Sequence, residues 1–194
     1  ALLGDIYSLF GDYGKAENIY VANIKRDTTD LNSLTSLSNI YLMSDRDSLY
    51  CETVESILKN ERLEVEQRVS MILDYARYKE RRDTTYMKGF FEDMLRLPFD
   101  RLEIADLYVQ YLLYREASPD TIMPVLEIIL ELEPENRSAL LQMLVFAIER
   151  NDYEEVIRCS DNAILYIPDM LELYYYKGIA SYLLGKKQEC TGIY

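Results

Sequence analysis

The 194-residue sequence contains no histidine and no tryptophan. Without imidazole there is no Ser-His-Asp or Cys-His nucleophile system, and no metal site that depends on a histidine ligand. Glycine and proline are scarce, at 7 and 5 residues. A sheet needs many turns, so this shortage favours long helices with short connections. Cysteine occurs three times, at Cys51, Cys159 and Cys190, with no CxxC pair. An odd set of widely separated thiols leaves at least one without an intramolecular disulfide partner, and they are read as buried structural thiols rather than metal ligands. No apolar run is long enough to span a membrane, and no signal peptide is visible. Positive charge is also short, with 21 Lys and Arg against 34 Asp and Glu, a net charge of −13. Nucleic-acid binding is driven by Lys and Arg displacing counterions, so a phosphate backbone is excluded as the main partner. A negative field of this size favours neutral or basic protein partners.

Hydrophobic residues make up 49% of the chain, and tyrosine alone supplies 18 residues. The first twenty residues, "ALLGDIYSLFGDYGKAENIY", and the last twenty, "YYKGIASYLLGKKQECTGIY", lie over one another. Gly4 then meets Gly178, Gly11 meets Gly185, Ile19 meets Ile193 and Tyr20 meets Tyr194. The same register recurs between the ends. One column runs through Gly4, Ser38, Leu73, Val109, Leu144 and Gly178, in steps of 34 to 36 residues. A second runs through Ala16, Tyr50, Met87, Ile122, Val156 and Cys190. Each unit reads as two amphipathic helices. Leu140, Met143, Leu144 and Ala147 form one stripe, and Val156, Ile157, Ala163 and Ile164 a second. Asn151 or Asp152 is placed to cap the second helix, and Pro134 and Pro168 end units. The third unit carries extra residues in "KERRDTT", which predicts a longer inter-helix loop. Pro124 is expected to bend its helix, or else to mark its start, with Ser118 and Pro119 as the competing start signal.

These residues carry a family resemblance. "LEPEN" before an apolar helix, "NDYEEVI" and "YYYKGIASYLLGKKQEC" resemble the tetratricopeptide repeat. The resemblance covers essentially the whole chain and is weakest over residues 65–101. It departs from the family where the first-helix aromatic is replaced by Ala76, Leu112, Ala147 and Ser181. The fold it implies is all-α, a right-handed α-α superhelix, or solenoid, of about six helix pairs with the first and last incomplete. The expected units are about 1–30, 31–65, 66–101, 102–136, 137–170 and 171–194. Both terminal units are interrupted, so the chain is expected to be part of a longer protein. The cysteine count leans toward the cytoplasm, and the bacterial periplasm stays open because the natural N-terminus is read as missing.

In this family the first helix of each pair lines a concave groove that holds ligand peptides. Carried onto this sequence, that face is Asn32, Thr35, Ser36 and Asn39 in unit two, and Gln67, Ser70, Asp74 and Arg77 in unit three. In unit four it is Glu103, Asp106 and Gln110. In unit five it is Leu141, Gln142, Val145 and Ile148, and in unit six Glu172, Tyr175, Tyr176, Ile179 and Tyr182. The groove is therefore expected to be polar and weakly acidic at first, then apolar and aromatic. Peptide anchors are expected at Leu141, Val145, Tyr175, Tyr176, Ile179 and Tyr182, with Asp106, Gln110, Glu172, Asn39 and Arg77 as polar contacts. Tyr174, Tyr175 and Tyr176 are consecutive, so at least one is expected to pack against unit five. The family's clamp for chaperone carboxylates is rejected, because only Asn39 and Arg77 match while Ala1, Asp5, Ser36, Gln67 and Met71 fill the other positions. "GDYGK" and "GKK" lack the full phosphate-loop spacing. No nucleophile–base set can be assembled and no cofactor is implied. The reading is a non-catalytic scaffold that binds a neutral-to-basic partner segment with apolar anchors. The alternative is a structural spacer or oligomerisation segment.

Overall fold

The computed structural model describes residues 2–80 and 86–191. These residues form eleven helices and no strand, so the all-α expectation holds. The loop expected in "KERRDTT" falls on residues 81–85, outside the described residues, as do Ala1, Ile193, Tyr194 and the Cys190 side chain. The chain divides into two compact units, Ala1–Arg101 and Leu102–Tyr194.

The first unit contains α1 (Leu2–Leu9), α2 (Tyr13–Arg26), α3 (Leu31–Met43), α4 (Asp47–Leu58), α5 (Val65–Glu80) and α6 (Tyr86–Leu95). Side-chain oxygens start two of them: Asp12 accepts from the Lys15 N–H and Asp30 from the Ser33 N–H. Each cap satisfies a backbone donor that has no partner inside its helix. The α1–α2 and α3–α4 turns close in one way. The N–H of Asp12 reaches back to the Tyr7 carbonyl and that of Gly11 to Ser8. In α3 the N–H of Arg46 reaches Tyr41, and that of Asp45 reaches Leu42. Gly11 (φ 76°) and Asp45 (φ 52°) hold the left-handed conformation that this closure needs.

The reversal lays each helix against the next and buries Ala16, Tyr20, Leu37, Ile40 and Tyr41 in one cluster. A Cβ on Gly4 would stand 2.6 Å from Cε1 of the Tyr20 ring, so only glycine fits there. Phenol groups then tie helix to helix. Tyr20 donates to Asp5 at 2.6 Å and Tyr41 to Glu17 at 3.2 Å. Arg46 grips the same Glu17 carboxylate with both terminal nitrogens, at 3.0 and 2.8 Å, and lies over the Tyr41 ring. Glu17 is held below the usual carboxylate range chiefly by the Arg46 hydrogen bond.

In α5 the structure corrects the sequence register. Leu73, assigned to the buried column, is 39% exposed, whereas Ile72 beside it is fully buried together with Tyr75 and Ala76. Unit three therefore keeps an inward-facing aromatic on its first helix. Tyr75 follows Tyr7 and Tyr41 at intervals of 34 and donates to Glu55 of α4 at 2.9 Å. On the same helix Arg68 is fully buried. Its guanidinium donates to the carbonyls of Leu58, Asn60 and Leu63, where α4 ends, and to the Asp100 carboxylate at 2.6 Å. It also lies 4.4 Å from the Phe99 ring centroid. One side chain thus terminates α4 and holds the turn after α6.

The second unit contains α7 (Arg101–Tyr114), α8 (Pro119–Leu132), α9 (Arg137–Glu149), α10 (Tyr153–Tyr166) and α11 (Leu171–Thr191). The same closure returns. Ala117 N–H bonds to Leu112 and Asp152 N–H to Ala147, with Glu116 (φ 51°) and Asn151 (φ 54°) left-handed. Asp152 rather than Asn151 is the cap of α10, accepting from the Glu155 N–H at 3.1 Å, and Asn136 caps α9 through the Ala139 N–H at 3.0 Å. α8 starts at Pro119 with Ser118 as its cap residue, and Pro124 lies inside it. The start near Pro124 is therefore excluded. Ile122, Leu126, Ala139, Leu140, Leu144, Val156 and Ala163 form the buried interior of this unit.

The end of the chain departs from its beginning. Gly185, aligned by sequence with the turn residue Gly11, lies inside α11, which continues to Thr191. Asp12 follows Gly11 and caps a new helix, whereas Gly185 is followed by Lys186 and Lys187, which offer no side-chain acceptor. The helix has no start signal to compete with, so it runs on.

A non-glycine residue in the left-handed region is strained by roughly 1–2 kcal/mol. Glu116→Gly is therefore expected to stabilise the chain by about 0.5–1 kcal/mol after the entropy cost of glycine, read as a higher urea midpoint. Arg68→Ala is expected to cost about 3–5 kcal/mol in the same titration, because it strands buried carbonyls and one side of an ion pair. Arg68→Lys is expected to recover only a minor part, since one ammonium cannot span the set of acceptors.

Candidate functional site

The short turns force a cleft to form wherever two first helices flank a second helix, and the same cleft occurs in both units. In the first unit it has a volume of about 560 Å³ and lies between α3, α4 and α5. Its lining includes Thr35, Ser38, Asn39 and Leu42 of α3, Tyr50 and Val54 of α4, and Gln67, Ser70, Met71 and Asp74 of α5. In the second unit a cleft of about 320 Å³ lies between α7, α8 and α9. Asp106, Val109, Gln110 and Leu113 line it from α7, Leu126 and Ile129 from α8, and Ser138, Ala139 and Gln142 from α9. The α3 and α7 residues correspond one to one at a constant offset of 71.

The two clefts share a chemistry. Val54 and Leu63 in one, and Leu126 and Ile129 in the other, make an apolar floor. Leu42 and Leu113 stand at the edge, 43% and 41% exposed. Two amides line each cleft, Asn39 with Gln67 and Gln110 with Gln142. Each amide offers both a donor and an acceptor. Both clefts carry carboxylates, Glu66 and Asp74 in the first and Asp106 in the second. Burial pushes the Asp106 carboxyl up, and the nearby Glu133 and Glu103 charges add to that. Glu133 accepts a hydrogen bond from Asn136 at 2.6 Å.

The structure brings together part of the face assigned from the sequence. Asn39, Thr35, Gln67, Ser70 and Asp74 share the first cleft, and Asp106, Gln110 and Gln142 the second. Arg77 does not line the cleft. Its guanidinium reaches Asp74, three residues back on its own helix, at 3.2 Å. On α9 Leu141 is half-buried and Val145 exposed, and neither lines the two clefts. Among the described side chains of α11 the buried ones are Leu173 and Ala180, whereas Tyr174, Tyr175 and Tyr176 are not buried. Tyr174, Tyr175 and Tyr176 are all exposed. Tyr174 donates to the Pro168 carbonyl, and Tyr175 meets Tyr176 edge to face at 5.5 Å. Ile179, Tyr182 and Glu172 are exposed on the same helix.

The sequence reading missed the apolar floor of the first cleft. Val54 and Leu63, with Tyr50 and Met71 beside them and Leu42 at the edge, make this part of the groove apolar as well as polar. One signal was available: Leu42 and Leu113 each stand four residues after the repeat column, at Ser38 and Val109.

A third cavity, of about 310 Å³, opens between α8, α9 and α10. Leu130, Leu140, Met143 and Cys159 line it, with Glu127, Glu131, Arg158 and Asn162. Burial pushes the Cys159 thiol up to about 12. Among the described residues there is no group of three or more His, Cys, Asp or Glu that could hold a metal ion, and no helix long and apolar enough to cross a membrane.

No protein-family model and no curated protein sequence matches the chain. Among solved structures it is similar to YrrB, described as a TPR protein with an unusual peptide-binding site. That match has 14% identity, a TM-score of 0.41, and coverage of 90% of this chain and 88% of that one. It is similar to MamA at 16% identity and a TM-score of 0.39, covering 97% and 82%. It is also similar to a thermophilic TPR protein of Thermus thermophilus, at 22% identity and a TM-score of 0.34, covering 92% and 95%. Likeness at this level says nothing about what the clefts hold.

Cys159 and Tyr86, whose phenol burial and Glu55 push up to about 12, both favour the neutral form in the folded chain. Their contribution to stability is complete below the ordinary values of 9.0 and 10.0 and is lost as pH rises toward 12. The thermal midpoint is therefore expected to fall steadily above pH 9, and Cys159→Ala to shrink the earliest part of that fall. Of the two described thiols, a reagent at neutral pH is expected to label the half-exposed Cys51 in the folded chain and Cys159 only on unfolding.

Proposed function

We propose that this chain is a non-catalytic protein-interaction scaffold that holds a peptide segment of a partner along its first helices. The observation that carries the reading is the repeated cleft. The same four positions of α3 and α7 line a cleft that has an apolar floor and two amides in each unit. Each cleft suits an extended segment whose main chain bonds to its amides, Asn39 and Gln67 in the first unit or Gln110 and Gln142 in the second, while an apolar side chain fills its floor. Leu141 and Val145 of α9, and Tyr176 with Glu172 on α11, extend the first-helix face. The net charge of −13, with Glu66 and Asp74 lining the first cleft and Asp106 the second, favours a segment that carries Lys or Arg beside its apolar anchors.

The test is selection from a displayed library of random dodecapeptides, followed by fluorescence anisotropy on the selected peptides. Binders are expected to combine basic and large apolar residues, to bind with a Kd on the order of micromolar, and to weaken with added salt. Met71→Lys is expected to weaken binding by about tenfold or more, and Gln110→Ala by about fivefold. Selection of no peptide, or of peptides indifferent to both substitutions, would count against the groove.

A further inference from the structure

Of the matched α3 and α7 positions, two keep their chemistry in both clefts: Asn39 with Gln110, and Leu42 with Leu113. At another, the neutral Thr35 of the first cleft is replaced by Asp106 in the second. The carboxylates of the two clefts are also held differently. In the first, Glu66 and Asp74 are exposed, and Asp74 is paired with Arg77 at 3.2 Å. In the second, Asp106 is half-buried, and no Lys or Arg lines the cleft. The charges that act on Asp106 are those of Glu133 at the end of α8 and Glu103 of its own helix, both negative. From α9 and the turn before it come Asn136, Ser138 and Gln142, none of which titrates. Asn136 already donates to Glu133 at 2.6 Å. Burial, and then the two like charges, hold the Asp106 carboxyl above the usual range. A carboxylate so placed is stabilised by a cation that brings its own apolar stem. Such a stem covers the buried Leu126 and Ile129 and shields the ion pair from water. Gln110 and Gln142 add two side-chain carbonyls. A lysine ammonium has three donors and no acceptor, so one carboxylate and two amide oxygens match it.

We infer that the second cleft is a cation-selective pocket for a lysine side chain of the partner segment, with the ammonium on Asp106 and the methylenes along Leu113, Leu126 and Ile129. The first cleft, with Thr35 in the matching place, takes an uncharged apolar side chain. Asp106 is thus the residue that gives two otherwise similar clefts different preferences. The assignment to a partner's lysine rests on the scaffold reading, whereas the selectivity of the pocket is a property of the free chain.

The probes are n-pentylammonium chloride, which reproduces lysine from Cα to the ammonium, and 1-pentanol, its neutral counterpart. Each is titrated into the 194-residue chain at constant ionic strength, and methyl and side-chain amide signals are followed by NMR. The ammonium is expected to shift Leu113, Ile129, Gln110 and Gln142 with a Kd on the order of 10 mM, at least about fivefold tighter than the alcohol. At Leu42 and Val54 of the first cleft the two probes are expected to agree within about twofold, because the carboxylates there are exposed. Asp106→Asn keeps the shape of the side chain and is expected to bring the ammonium to the level of the alcohol, with helical circular dichroism unchanged. The carboxyl-carbon signal of Asp106 gives a second readout on the natural chain. Its titration midpoint is expected to fall when the ammonium is present, since a bound cation favours the ionised form. Equal binding of both probes in the second cleft, the same preference in both clefts, or a preference that survives Asp106→Asn would each overturn the pocket. In a peptide selected from the displayed library, replacing lysine by norleucine is expected to weaken binding about tenfold to the natural chain and less than about twofold to Asp106→Asn. A selected peptide indifferent to that replacement overturns the lysine assignment and leaves the scaffold reading standing. An ammonium preference with no peptide selected does the reverse: the pocket stands and the scaffold reading fails.

Discussion

Each turn within a described helix pair depends on one backbone conformation. A helix ends with carbonyls that have no partner, and a left-handed residue lets its own N–H and the one after it return to them. That single reversed φ turns the chain back beside itself with almost no loop. Gly11, Asp45, Glu116 and Asn151 all hold it, although only one is glycine. The tertiary gain outweighs the local strain, because without the reversal neither helix can cover the other's apolar stripe. The clefts follow directly, since a floor helix flanked by two wall helices exists only when each pair is closed.

Packing then distributes volume rather than repeating residues. The first pair sets the smallest residue, Gly4, against one of the largest, Tyr20. The corresponding positions in the fifth unit are Leu144 and Ser160, where the large and small partners are exchanged and both are buried. The seam needs the sum of the two volumes to be right, so neither position alone is diagnostic. Polar anchoring is equally local. Tyrosine hydroxyls settle on carboxylates of the neighbouring helix, which uses part of the acidic surplus inside the structure.

This explains why the sequence disclosed some features and not others. Caps and stops depend on residues close in the chain, so Asp152 and Ser118–Pro119 are legible. The slip at Leu73 arises because "SMILDY" offers two adjacent apolar stripes, and only the neighbouring helices decide that Ile72 and Tyr75 face in. Gly185 looks like a turn by identity, but a turn also needs a following acceptor, and the lysines provide none. Arg68 reads as an exposed charge in any local pattern, because its acceptors belong to a helix end and to Asp100, 32 residues away. The cleft floor escaped for a related reason. Val54 lies on α4 and Leu63 beyond its end, and nothing in either segment says that they share a cleft with α3 and α5.

The turn between α7 and α8 has one more residue than the other described left-handed closures, α1–α2, α3–α4 and α9–α10. Ala117 stands between the left-handed Glu116 and the cap residue Ser118, whereas in the other closures the cap residue follows directly. The added residue moves Ile122 one place along without disturbing either helix. Stop and start are separate devices, one written in backbone and one in side chain, and the space between them is free to vary. A lineage of such chains can therefore accept single-codon insertions at these joints while the buried positions on either side keep their partners. Drift in repeat length then accumulates at the hinge points, and the walls of the clefts keep their register.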